Sequence, residues 1–156
     1  MTLYHADHWR NEVPIGPHTL LASSYLGLNN RRCKPGSSLT PTLGVYLDEA
    51  WASVETGYPK KIVEWPDCGV IEMPLLQSLV RSMNNALEAG EIIDVACLLG
   101  HGRTGTLLSC LLVYIEELLP DAAISELRRR YCSYAVEYEV QEDLIRRFYQ
   151  EEAIRE

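Results

Sequence analysis

Cys97 and Arg103 enclose five residues in Cys97-Leu98-Leu99-Gly100-His101-Gly102-Arg103-Thr104-Gly105, where an apolar run stops at a cysteine and a glycine-rich turn opens a long apolar stretch. That order predicts a strand, a tight loop and a helix start. A loop of this kind turns successive backbone N–H groups inward, with the positive end of the helix dipole behind them, so its concavity suits a phosphate-sized anion. Arg103 offers a planar fork to two phosphate oxygens, and a cysteine in the same positive field is disposed to act as a thiolate. Upstream, Trp65-Pro66-Asp67-Cys68-Gly69 places a carboxyl on a loop punctuated by proline and glycine. Expelling an alkoxide or phenoxide from phosphorus needs a proton donor opposite the nucleophile, and such a carboxyl can supply it.

Two other phosphate-binding patterns compete for the same residues. Gly100-His101-Gly102-Arg103-Thr104-Gly105 satisfies G-x-G-x-x-G, but no second strand ending in an acidic residue follows to hold a ribose. A nucleotide P-loop is excluded because G-x-x-x-x-G-K-[ST] occurs nowhere in the chain.

The stretch from Cys97 to Gly105 resembles the signature of the cysteine-dependent protein tyrosine and dual-specificity phosphatase superfamily: His-Cys, five residues, then Arg-Ser/Thr-Gly. Trp65-Pro66-Asp67 is similar to that superfamily's mobile general-acid loop. Ala135-Val136-Glu137-Tyr138-Glu139-Val140-Gln141 resembles its Ala-Val-Gln-Thr-x-x-Gln run, with Gln141 at the second glutamine. Among the departures from the pattern, Ala96 stands where the histidine belongs, and Glu137 where the first glutamine belongs.

The resemblance implies a phosphomonoester hydrolase working through a cysteinyl-phosphate intermediate, with no metal and no cofactor. Cys97 would be the nucleophile and Asp67 the general acid. The loop residues Leu98, Leu99, Gly100, His101, Gly102 and Arg103 would hold the phosphate. Thr104 would donate to the departing sulfur, and Gln141 would position the hydrolytic water, a role that Glu137 shares or puts in doubt. The implied substrates are phosphoproteins, carrying phosphotyrosine or phosphoserine and phosphothreonine as well. The alternatives are a weakly catalytic, phosphate-binding pseudophosphatase module, or a phosphatase of inositol or lipid phosphates. The loop interior, with Leu98, Leu99 and His101, lacks the added positive charge that neighbouring phosphates require, which favours protein.

These groups must be carried by a chain of 156 residues with 47% hydrophobic content, enough for one compact domain over residues 1–156. A net charge of −8 argues against nucleic acid or an anionic membrane as a partner. Five cysteines without a regular spacing or a C-x-x-C pair suit a reducing compartment, so a cytoplasmic protein is expected, and a monomer. The first residues lack a basic segment followed by an apolar core, and no apolar run reaches a membrane span.

The elements read as α/β, a single domain with a central, mostly parallel twisted sheet flanked by helices. Residues 1–17, broken by Pro14, Gly16 and Pro17, are expected to wrap the surface. His5 and His8 have metal-ligand spacing but lack a third partner. The basic loop around Arg31, Arg32 and Lys34 is a solvated segment or a rim that steers an anionic substrate. Strands are expected at 19–23, 42–47, 61–64 and 92–97, with a crossover helix from about Glu72 to Gly90. A buried helix is expected over 105–119, a helix over 122–130 whose Arg128-Arg129-Arg130 face is solvated, and a last helix with Val140, Leu144 and Phe148 inward.

Overall fold

A computed structural model describes residues 8–30 and 34–155. Its sheet has five strands, β1 (Asn11–Ile15), β2 (His18–Ser24), β3 (Leu43–Tyr46), β4 (Lys60–Ile62) and β5 (Ile93–Cys97), in the order β1-β2-β5-β3-β4. Only β1 runs antiparallel; β2, β5, β3 and β4 are mutually parallel. The helices are α1 (Tyr25–Asn29), α2 (Met73–Glu88), α3 (Gly102–Glu116), α4 (Pro120–Arg130) and α5 (Glu139–Arg155), with a 3-10 turn at Glu49–Ser53. The architecture is the expected single-domain α/β fold.

β5 sits at the middle of the sheet and explains the rest. Ile93, Val95 and Cys97 join the main core under the helices, whereas Ala96 joins a small aromatic cluster with Tyr46 and Trp51 on the opposite face. This is the period of 2 that a strand imposes. Asp94 shares Ala96's face, fully buried, accepting hydrogen bonds from Ser23 Oγ at 2.8 Å and Tyr46 Oη at 2.9 Å. Burial pushes its carboxyl up to about 7, against the pull of those two donors and of Arg10.

α3 is the buried axis. Leu107, Leu108, Leu111 and Leu112 are all inaccessible, and burying each contributes about 1.5–3 kcal/mol relative to exposure. α2, α4 and α5 pack around it. The helix begins at Gly102, three residues before the sequence pattern suggests, because the glycine-rich loop after β5 itself supplies the first turn. Pro74 and Pro120 lie in the first turns of α2 and α4, where a missing N–H costs nothing.

Three expectations need correction. Residues 11–15 do not wrap the surface: they form edge strand β1, with Val13 and Ile15 fully buried. Pro14 is tolerated there because an edge strand leaves one row of N–H groups unpaired. Val140 is half exposed rather than inward, and the buried stripe of α5 is Gln141, Leu144, Ile145 and Phe148. In the arginine run, only Arg129 matches a solvated face; Arg128 donates to the carbonyls of Ala135 at 2.8 Å and Val136 at 2.9 Å, and Arg130 pairs with Glu116 and Glu126. His5, Arg31 and Arg32, singled out above, lie outside the described residues.

Candidate active site

Cys97 ends β5 at the carboxyl edge of the sheet, and five residues later α3 begins. The thiol points into the loop: Sγ accepts from the Gly100 N–H at 3.2 Å and from the Thr104 hydroxyl at 3.1 Å. Gly100 adopts φ +83°, and a Cβ there would meet Tyr131 Oη at 2.9 Å, so only glycine fits. Tyr131 Oη donates to the Gly100 carbonyl at 2.7 Å and locks that turn.

Arg103 is 3% exposed, and its guanidinium is fixed from one side. Nη1 donates to the carbonyls of Leu47 at 2.9 Å and Trp65 at 3.0 Å, and Nη2 donates to Asp48 Oδ2 at 2.9 Å. An arginine has five N–H donors. Nε and the second Nη2 hydrogen face the cleft, where Asp67 Oδ1 lies 3.5 Å from Nη2, and an arginine edge of this kind fits a pair of phosphate oxygens.

The loop carrying Asp67 closes over this edge. Trp65 is buried and donates its indole N–H to the Gly69 carbonyl at 2.9 Å, while the Gly69 N–H returns to the Pro66 carbonyl at 3.0 Å. The turn presents Asp67 with a 65% exposed side chain whose Oδ1 lies 3.5 Å from Arg103 Nη2. Cys68, in the left-handed region at φ 63°, gives its thiol hydrogen to Tyr138 Oη at 3.1 Å, tying the loop to the start of α5. A cleft of about 480 Å³ opens here, lined by Asp48, Glu49, Glu64, Trp65, Asp67 and Arg103 among others.

The third motif also converges on the loop. Gln141 is fully buried; its Nε2 donates to the Gly69 carbonyl at 3.3 Å, and its Oε1 accepts from the N–H groups of Glu137 and Tyr138. These bonds tie Gln141 to the loop that carries Asp67, and one Nε2 hydrogen remains beyond them, with Nε2 3.1 Å from where a Gly102 Cβ would stand. Glu137 takes the place facing the cradle: its carboxylate accepts from the Gly102 N–H, with Oε1 2.7 Å from where a Gly102 Cβ would stand. The Gly102 amide, expected to bind phosphate, is therefore shared with this carboxylate. Burial and the neighbouring Asp67 charge raise the Glu137 carboxyl above its ordinary range, although Gly102 and Arg103 oppose them.

Ala96 leaves no imidazole beside Cys97, and another group fastens the strand end. Trp51, stacked on Tyr46 at 4.1 Å, donates its indole N–H to the Cys97 carbonyl at 3.1 Å. Trp51, Asp48 and Tyr131 were not singled out by sequence reasoning. Each meets the loop across a long stretch of chain, and no local spacing marks them. His101 contributes backbone to the loop, but its ring turns away from the bowl toward His8. Leu98 and Leu99 are half-buried, and the Leu98 carbonyl accepts from the Leu26 N–H at 3.3 Å.

No protein-family model matches the chain. Among curated proteins, it is 35% identical over 96 residues to protein tyrosine phosphatase domain-containing protein 1 of Mus musculus, covering 61% of this chain and 12% of that protein. The chain therefore spans about an eighth of the length of that relative. It is 32% identical over 110 residues to an uncharacterized protein of Methanocaldococcus jannaschii, covering 65% of this chain and 71% of the other. The solved structure of Tk-PTP in the active form matches with a TM-score of 0.73 at 20% identity, over 91% of this chain and 98% of that one. Kinase associated phosphatase matches with a TM-score of 0.75 at 15% identity, over 93% and 97% of the two chains. PTPMT1 in complex with PI(5)P matches with a TM-score of 0.65 at 16% identity, over 74% and 80%. The chain has the fold of these solved protein tyrosine and dual-specificity phosphatases, and its parallel sheet ends in a cysteine-to-arginine loop; its curated relatives are protein tyrosine phosphatase domain-containing proteins.

Proposed function

We propose that the chain hydrolyses phosphomonoesters on proteins through a cysteinyl-phosphate intermediate, with neither metal nor cofactor in the chemistry. The observation that carries this reading is the Cys97 sulfur, which receives two hydrogen bonds on the floor of the loop whose far end is Arg103. The thiolate attacks phosphorus in line while the free edge of Arg103 and the loop amides hold the equatorial oxygens. Asp67 protonates the leaving oxygen and then takes a proton from the water that releases phosphate. Thr104, 3.1 Å from Sγ, stabilises the sulfur as it departs.

A phosphoprotein substrate is favoured over an inositol or lipid phosphate by the charge of the cleft. Asp48, Glu49, Glu64 and Asp67 line it beside one arginine. A second phosphate on the same ligand would meet carboxylates, whereas a basic side chain next to a phosphorylated residue would be attracted. Among the described residues no helix is long and apolar enough to cross a membrane. The substrate is a phosphorylated peptide segment met in the cytoplasm by a monomeric domain.

Phosphate release from matched phosphotyrosine and phosphothreonine peptides, with basic or acidic flanks, and from phosphatidylinositol phosphates tests both parts. Basic-flanked peptides are expected to turn over best, with all turnover reduced by roughly four orders of magnitude in Cys97→Ser. Undiminished activity in that variant defeats the cysteine mechanism. A preference for inositol phosphates defeats the substrate assignment, and phosphopeptide binding without release supports the pseudophosphatase reading.

A further inference from the structure

His8, which has no adequate metal partner in its own stretch of sequence, gains two in space. His8, His101 and Cys132 come from the segment before β1, from the phosphate loop and from the turn after α4. Their ligand atoms all lie within 4.8 Å of one another. All three residues are more than nine-tenths buried, with 8%, 6% and 3% exposure. We propose that these side chains form a binding site for one zinc-class divalent ion, directly behind the phosphate loop.

The geometry favours ligation. His8 Nε2 and His101 Nε2 are 3.2 Å apart, and two imidazole nitrogens on one tetrahedral zinc at ~2.0–2.1 Å are separated by about 3.3 Å. His8 Nδ1 lies 3.2 Å from Asn11 Oδ1. An Nδ1–H given to that oxygen leaves Nε2 with its lone pair facing the cluster, the outer-shell contact that orients metal-binding histidines. The backbone holds His8 in place through the Ser24 N–H to its carbonyl at 2.8 Å. Tyr131 packs against the His8 ring at 4.8 Å and Tyr134 against His101 at 5.9 Å, walling the cluster with aromatic carbon.

Two neutral nitrogens and one sulfur select zinc or its spectroscopic substitute cobalt(II) over magnesium or calcium, which take oxygen ligands. On binding, the Cys132 S–H bond breaks, its proton leaves to the buffer and an S–metal bond forms, with no change of oxidation state. The ion replaces the direct contact between the two imidazoles and leaves one coordination position for water. This is no catalytic metal, since the His101 ring points away from the bowl. Its effect is to fasten the phosphate loop to the segment before β1 and to the end of α4, where Tyr131 already grips Gly100.

The test is cobalt(II) titration of the full chain carrying Cys97→Ser, which removes the nucleophilic thiol as a competing ligand and makes the readout independent of hydrolysis. One equivalent of cobalt is expected to produce the visible bands of a tetrahedral ion and a thiolate-to-cobalt charge-transfer band, both abolished by zinc. Adding Cys132→Ser should remove the charge-transfer band, and adding His8→Gln should weaken binding at least tenfold. Zinc should raise the melting temperature of the parent and of neither variant. If Cys132→Ser fails to fold by circular dichroism, His8→Gln alone decides. Absence of the thiolate band in the parent, or equal cobalt affinity in parent and His8→Gln, overturns the site.

Discussion

Arg103 Nη2 and Asp67 Oδ1 stand 3.5 Å apart, so the residue assigned to grip phosphate and the residue assigned to protonate the leaving oxygen share one edge of the cleft. No large loop movement is needed to bring them to the same ester. Replacing Asp67 by Asn should therefore act on the proton and little on binding. Turnover of alkyl phosphates, whose leaving groups need protonation, should fall by about 10²–10⁴-fold. Turnover of p-nitrophenyl phosphate should fall far less. Steady-state kinetics over a series of leaving groups checks this, and an equal loss across the series would remove Asp67 from the acid role.

Glu137 places a second carboxylate at the cradle, where the superfamily pattern has a neutral amide. Because burial and Asp67 raise its carboxyl above the ordinary range, it ionises later than a free glutamate as pH rises. Once ionised, it opposes a phosphate dianion. The ratio of kcat/KM between Glu137→Gln and the parent should climb with pH through that ionisation and then level off. The plateau should be about tenfold, the worth of a like charge several ångströms away at the effective dielectric near a protein surface. Parallel pH profiles would show that Glu137 does not face the bound phosphate.

Asp94 makes a prediction about stability. Its folded carboxyl is raised to about 7 from an ordinary 3.8, so the folded state binds this proton more tightly than the unfolded chain. The stabilisation is complete below the unfolded value and is lost as pH rises through the folded one. Denaturant unfolding should lose up to about 4 kcal/mol from this group between those limits. Asp94→Asn should flatten that part of the curve, and an unaltered slope would place the titration elsewhere.

Much of the site was readable because it is local. Cys97, Gly100, Arg103 and Thr104 lie on one turn and the start of one helix, so their order in sequence is their order in space. Asp67 was readable because tryptophan, proline and glycine announce its loop. Asp48 and Trp51 were not, since their contacts with Arg103 and Cys97 span 55 and 46 positions of the chain. β1 was hidden because Pro14 breaks a central strand but not an edge. The inward stripe of α5 was misread because Val140 is apolar, yet the close approach to the acid loop is made by Gln141, whose amide both donates and accepts. The meeting of His8 with His101 and Cys132 joins three segments far apart in the chain, which no local spacing reveals.

The most direct measurement is rapid acid quenching of the domain during turnover of p-nitrophenyl phosphate, followed by peptide mass analysis. The peptide containing Cys97 should carry a phosphoryl group, with a burst of nitrophenol approaching one equivalent wherever the second step is slow. Turnover with no phosphate on that peptide, persisting in Cys97→Ser, would contradict the cysteinyl-phosphate mechanism.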